Sequence, residues 1–355
     1  MRPLNPNPWC SIRLRNPPLL PRRLCMRSLY GVLLALGMAF TCLPASADPI
    51  PGSMDVHWNE GAADCSKTPE PPLQVYRYNA QTYILRESPC ATFEAPFMYL
   101  LIGSKRALLI DTGDVADPGQ MPLAKTVMDL LPGDADARMP LLVVHTHGHL
   151  DHRAADPQFQ SLPHVQVVPT DLEHVKQFFG FSNWPDGMSQ IDLGDRTIDV
   201  LPTPGHYPSH VSYYDRNTAL FFSGDFFMPA RLIIDDTASD IASARRVVDF
   251  VRDRPVSYVL GGHIELDSHG DTFAWGSNYH PDEHVLQLTK QDLMGLPAVL
   301  AKFNGFYRED GMYVMFNQYR LLAAELAVVV LVLAAMVTLT WKYIRRRKRR
   351  RLARA

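Results

Sequence analysis

Through the middle of the chain, short apolar and β-branched runs alternate with longer stretches whose apolar residues recur at helical spacing. The runs predict strands at Phe97–Ile102, Ala107–Ile110, Leu141–Val144, Val165–Val168, Thr197–Leu201, Val211–Tyr214, Leu220–Phe222 and Val256–Leu260. Helices are predicted over Gln120–Leu131, Asp171–Phe179, Ser239–Val251 and Pro281–Leu293. In the third of these, Ile241, Ala244, Val247, Val248 and Val251 supply one buried face. Strands interleaved with helices in this way indicate an α/β protein with buried sheets. Ahead of them, the proline-punctuated stretch 48–74 reads as an extended lead-in.

The same patterning marks both ends. Residues 22–47 have the form of a secretory signal: Arg22, Arg23 and Arg27, the apolar run Leu29–Leu43, then Ala45-Ser46-Ala47. Cleavage there would make Asp48 the mature N-terminus; an uncleaved anchor is the alternative, and Met26 would serve as a start as well as Met1 does. Near the other end, Leu321–Trp341 is 21 residues with a single charge, Glu325. As a helix it would be roughly 32 Å long, close to a bilayer core. A buried core helix is the other reading, but eight basic residues occupy the ten positions from Lys342 to Arg351. Such a run is a stop-transfer signal that places residues 342–355 in the cytoplasm. The expected topology is a single pass through a bacterial inner membrane, with the catalytic body on the periplasmic or extracellular side and 304–320 as juxtamembrane linker.

Charge follows the same division. The chain's net charge of −2 conceals six arginines without an acid in 1–47 and nine basic residues without an acid in 342–355. Residues 48–341 hold 20 basic and 37 acidic residues, a net −17. Nucleic-acid enzymes carry a basic footprint, because phosphate neutralisation supplies most of their affinity; this body has the reverse, which argues for a small-molecule substrate. Of five cysteines, Cys10, Cys25 and Cys42 would leave with the signal. Cys65 and Cys90 remain, in a compartment that permits a disulfide.

The chemistry lies just beyond strand ends. After Leu141–Val144 comes His145-Thr146-His147-Gly148-His149-Leu150-Asp151-His152. So many imidazoles and a carboxylate on one turn cannot all find packing partners, and imidazole is the commonest protein ligand for zinc-like ions. Three fragments repeat the logic: Thr203-Pro204-Gly205-His206, Ser223-Gly224-Asp225 and Gly261-Gly262-His263. Each sets one ligand-type residue beside a glycine, whose backbone freedom helps to turn side chains into a shared cleft.

These residues resemble the metallo-β-lactamase fold superfamily over roughly 75–290, within an expected catalytic domain of 75–303. Its His-x-His-x-Asp-His signature falls on His147, His149, Asp151 and His152, and its later ligands on His206, Asp225 and His263. Asp111, in Ile110-Asp111-Thr112-Gly113, fits its early Asp-x-Gly turn. The resemblance implies a four-layer αβ/βα sandwich with the site along one edge of its two sheets. It implies two divalent ions, zinc first with iron or manganese allowed, since the donors are imidazole and carboxylate without thiolate. His147, His149 and His206 would hold one ion, Asp151, His152 and His263 the other, and Asp225 would bridge them. A hydroxide shared by the ions would be the nucleophile, oriented by Asp151, with no separate serine or cysteine required. Asp111 would orient a ligand or cap the turn after its strand.

Among such proteins a bridging Asp resembles thioester, lactone and phosphodiester hydrolases more than true β-lactamases. The anionic body disfavours the nuclease branch, and secretion disfavours a glutathione thioesterase. The implied activity is metal-dependent hydrolysis of a small ester, lactone, thioester or amide. An iron-dependent persulfide dioxygenase, a β-lactam hydrolase and a membrane-tethered binding protein with a vestigial site are the alternatives. Tyr207, His210 and His280 lie near the motifs, with packing the simpler reading for each, and His145 reads as structural.

Overall fold

The computed structural model describes residues 48–134 and 137–353. The expected leader and signal fall outside the described residues.

Alternation within the strands builds the layers. The first sheet joins β1 (Leu73–Asn79), β2 (Thr82–Glu87), β3 (Phe97–Ile102), β4 (Ala107–Ile110), β5 (Leu141–Val144) and β6 (Val165–Val167) in that order. The next strands in the chain are β7 (Ser189–Asp192), β8 (Thr197–Pro202), β9 (Val211–Asp215), β10 (Leu220–Gly224), β11 (Leu232–Ile233), β12 (Tyr258–Gly261) and β13 (Gln287–Leu288). The second sheet takes all of these except β11, in the order β13-β12-β10-β9-β8-β7. Side chains on a strand point alternately to its two faces. Leu108, Ile110, Leu142 and Val144 of the first sheet therefore meet Ile198, Val200, Tyr213 and Phe222 of the second in a central core. The intervening Leu109, Leu141 and Val143 turn outward onto α1 (Leu123–Leu130) and α2 (Asp156–Gln160). On the far side, Leu201, Phe221 and Val259 pack against α4 (Thr237–Val251) and α5 (Lys290–Leu300). A further short helix, α3 (Leu172–Phe179), follows β6. The result is the expected four-layer αβ/βα sandwich.

Two expectations are corrected. Pro281–Leu293 is not one helix: Asp282 has φ +56°, Glu283 is drawn into a buried ion pair with Arg86, and β13 follows. Helix α5 starts only after Thr289, where Thr289 and Asp292 form a capping box. Nor is 304–320 a linker. It contains the hairpin β14 (Tyr307–Asp310) and β15 (Tyr313–Phe316), and β15 pairs in parallel with β11 in a third sheet. Met315 is buried against the second-sheet core, which gives the hairpin its inward face. The apolar segment 321–341 lies within α6 (Gln318–Leu352), a helix with no buried residue whose most apolar 18-residue stretch has a mean hydropathy of 2.6, long and apolar enough to cross a membrane.

Parallel pairing places the site. β4 and β5 run side by side in register Ile110 with Val144, so the loops after both strands leave one edge together. In the second sheet β10 and β12 are likewise parallel, with Gly224 opposite Gly261. β8 points the same way, being antiparallel to β9, which is antiparallel to β10. The segments carrying Asp111, His147–His152, His206, Asp225 and His263 all issue from these strand ends.

Candidate metal centre

The loop after β5 delivers four of the seven expected ligands, with Leu150–His152 wound into a single 3-10 turn. The loop after β4 holds it in shape. Asp111, at φ +65°, accepts the Thr146 backbone N–H at 2.7 Å, the Thr146 hydroxyl at 2.9 Å and His152 Nδ1 at 3.0 Å. The Thr112 N–H donates to the His152 carbonyl, and the Ala154 N–H to that of Gly113. Asp111 thus orients a histidine and pins the turn beside it. His145 faces away from this cluster to Asp156, 2.9 Å off.

The second sheet supplies the rest singly. His206 Nδ1 donates to the Ile233 carbonyl at 2.9 Å, and His263 Nδ1 to the Glu94 carbonyl at 2.7 Å. A carbonyl can only accept, so each ring carries a proton on Nδ1 and turns Nε2 toward the cluster. Two glycines make room for Asp225. Gly224 adopts φ +51°, and a Cβ there would lie 2.6 Å from Thr146; a Cβ on Gly262 would come within 2.4 Å of Asp225 Oδ1. Backbone freedom matters at the first, and space alone at the second.

All seven residues converge, in two groups: His147, His149 and His206, and Asp151, His152, Asp225 and His263. In the first, His147 Nε2 is 2.9 Å from His149 Nδ1 and 3.2 Å from His206 Nε2, which is itself 3.0 Å from His149 Nδ1. Donors about 2.0–2.1 Å from a tetrahedral zinc would be about 3.3 Å apart, so the triangle is one that a cation would hold. In the second, Nε2 of His263 and of His152 are 3.3 Å apart, and Asp151 reaches them at 3.3 and 3.4 Å. Asp225 lies between the groups. Its Oδ2 is 3.6 Å from His206 and 3.9 Å from His147, while Oδ1 is 3.4 Å from His152 and 3.7 Å from His263. Oδ1 is buried with no hydrogen-bond donor. A buried carboxylate oxygen that faces ring nitrogens and has no hydrogen-bond partner of its own fits a divalent ion.

The electrostatics of the two groups differ. Burial, then the neighbouring rings of His152 and His206, hold His147 well below the ordinary imidazole range. Burial likewise lowers His149 and His206. In the second group burial is outweighed by carboxylates: Asp225 and Asp151 push His263 up to about 10 and, with Asp111, raise His152 well above its usual value. Reciprocally, burial opposes but His152 and His263 overcome it, keeping Asp151 and Asp225 below the ordinary carboxylate range.

Of the neighbours, His210 is buried, bonded through Nδ1 to Thr203 at 2.8 Å and stacked 5.2 Å from His147. Tyr207 lies 4.8 Å from the His149 ring, and His280 stacks on Phe273 beyond His263. Sequence reasoning did not single out Glu94, whose carbonyl orients His263, or Glu87, whose carboxylate accepts the N–H groups of Asp114 and Val115 beneath the Asp111 turn. Burial pushes Glu94 up to about 7 and Glu87 up to about 8. Cys65 and Cys90 are joined in a disulfide, which fastens the lead-in to the loop that carries Glu94.

Residues 91–263 match the family model described as metallo-beta-lactamase superfamily. The chain is 26% identical over 216 residues to the acyl-coenzyme A thioesterase MBLAC2 of Homo sapiens, covering 51% of this chain and 77% of that protein. It is 27% identical over 240 residues to the hydroxyacylglutathione hydrolase of Aeromonas hydrophila, covering 63% and 86%. Among solved structures, a metallo-beta-lactamase from Pontibacter korlensis aligns at 16% identity with a TM-score of 0.43, covering 65% of this chain and all of that one.

Proposed function

We propose, for a chain that carries a metallo-beta-lactamase superfamily domain, that it is a membrane-tethered dinuclear metal hydrolase acting on a thioester or related ester outside the cytoplasm. The observation that carries this reading is the position of Asp225, one carboxylate oxygen toward each group of histidines. His147, His149 and His206 would hold one divalent ion, Asp151, His152 and His263 the other, with Asp225 shared. Such a pair supplies Lewis acidity, acidifying a water nucleophile toward neutral pH and polarising the scissile carbonyl.

The protein's own residues do the positioning. Asp151 is the one partly exposed acid of the second group, its side chain 21% accessible, and is kept ionised by His152 and His263. It would accept a hydrogen bond from the attacking water and so aim a lone pair at substrate. Asp111, Ile233 and Glu94 fix the tautomers of His152, His206 and His263 through their Nδ1 protons. Thioesters are favoured because the relatives named above act on acyl-coenzyme A and hydroxyacylglutathione. An exported location is favoured by the signal-like segment, the disulfide and the basic run in the last turns of α6.

The test is metal analysis of the full chain alongside turnover of acyl thioesters. Close to two zinc ions per chain with thioester hydrolysis is the expected result. A single iron with oxygen consumption would overturn it in favour of a dioxygenase. A reporter fused after Ala355 should be cytoplasmic, and one inserted in the body should not.

A further inference from the structure

The root of α6 is built into the same strand that orients a site histidine. Asn317, buried at the N-cap, donates from Nδ2 to the carbonyls of Ile234 and Asp235 at 2.9 and 2.8 Å, and Gln318 donates to the Asp235 carboxylate. β15 pairs with β11 at Ile233–Phe316, and the Ile233 carbonyl takes the His206 Nδ1 proton. The apolar segment begins four residues after Asn317, about 6 Å along a helix. No free linker separates site and span, so the height of the site above the bilayer is set by the fold.

The wall of the site on the His263 side is continuous with that root. Arg231, immediately before β11, takes Glu265 on its backbone N–H and carries its guanidinium 5.9 Å from the Trp275 ring. Phe93, next to Glu94, lies 6.4 Å from Trp275. The loop bearing Trp275 reaches the tip of the β14–β15 hairpin, since a Cβ on Gly270 would touch Met312. Aromatic rings stay uncovered along this path: Trp275 is 63% exposed, Phe93 38%, Tyr307 44% and Tyr319 64%. Tryptophan, tyrosine and arginine beside a membrane span belong at the lipid headgroup level, where a ring can be half wet.

From this continuity we infer that the Phe93–Trp275–Arg231 rim lies in the outer membrane interface and admits the acyl chain of an amphiphilic substrate directly from the bilayer. The rim would take the hydrocarbon at Phe93 and Trp275, with the scissile carbonyl inward beyond Glu94 and His263. Arg231, whose guanidinium is held by the Glu265 carboxylate and the Phe273 carbonyl, would brace the Trp275 ring at this rim. This rests on the hydrolase and membrane-span readings, and it narrows the substrate from small esters to long-chain acyl compounds.

Two measurements on full-length protein in nanodiscs test it. Trp341, at the opposite end of the span, is first replaced by Phe. Exchanging ordinary phosphatidylcholine for phosphatidylcholine brominated on its acyl chains should then quench tryptophan emission. Most of that quenching should vanish on adding Trp275→Phe; equal quenching with and without Trp275 overturns the proposal. Separately, kcat/KM for a dodecanoyl thioester should exceed that for the acetyl thioester of the same thiol by at least about tenfold, the worth of burying two methylenes. Equal values overturn the acyl-chain assignment alone. No turnover of either refutes the hydrolase reading and takes the proposal with it. Protein released from membranes by alkaline carbonate refutes the span, and with it the placement of the rim.

Discussion

The two sheets contribute to the candidate metal centre in opposite ways. The first sends one loop, in which His147, His149, Asp151 and His152 follow each other within a few residues and are braced by the adjacent β4 loop through Asp111, Thr112 and Gly113. The second sends three separate strand ends, each with one ligand, and each ligand leans on a distant segment: His206 on Ile233, His263 on Glu94, Asp225 on space left by Gly262. The first half is a local structure. The second exists only once β8, β10 and β12 are aligned. Local bracing shapes the first half within one stretch of chain, whereas the second half depends on contacts with the rim loop at Glu94 and with β11, the strand that pairs with β15 before α6.

The contrast can be broken at its joint. Asp225→Ala removes the residue that lies between the two groups, and should lower second-ion occupancy and turnover together, by more than about 100-fold, since even residues behind metal ligands cost about 10–100-fold. Metal counting and thioester kinetics on the same preparation check it; unchanged turnover would refute a shared carboxylate. His263→Ala should strip the second ion while leaving the all-histidine group able to bind, a difference that metal titration can read. Next in size, Asp111→Ala frees the His152 ring and the Thr146 turn, and is expected to cost about 10–100-fold in metal affinity. An effect no larger than that of a surface substitution would mean the first-sheet loop holds itself.

The smallest effect concerns Glu87 under the same loop. Burial raises its pKa from 4.5 to about 8. A carboxyl whose folded pKa exceeds its unfolded value contributes stability that is complete below the unfolded pKa and lost as pH rises through the folded one. Thermal stability of the natural chain should therefore decline between about pH 4.5 and 8, and Glu87→Gln, which cannot ionise, should flatten that decline. Parallel Tm–pH profiles would remove Glu87 from the bracing.

Legibility in the sequence follows the same line. Strands buried on both faces read as unbroken apolar runs, so the extents of β3, β4 and β5 match expectation. β1 and β2 escaped notice because Arg77, Asn79 and Arg86 interrupt them; Arg86 is tolerated only because Glu283, 197 positions away, neutralises it. The expected helix over Pro281–Leu293 failed for the same reason, its first turns being committed to that ion pair and to β13. The 304–320 hairpin was invisible because its inward residue, Met315, finds its partners in β11 and the second core.

Taken alone, the sequence determined the candidate ligand residues, their order, the glycines beside them, and an apolar segment long enough for a bilayer followed by a basic run. Those are properties of residue chemistry and of spacing along the chain. Only the tertiary structure decided that Cys65 meets Cys90, that Asp225 lies between two groups of rings, and that Ile233 and Glu94 fix the histidine tautomers. It also decided that the apolar helix is rooted at the site rather than tethered to it. Each of these depends on backbone groups or side chains far apart in sequence, brought within hydrogen-bonding distance by parallel strand pairing and the packing of two sheets.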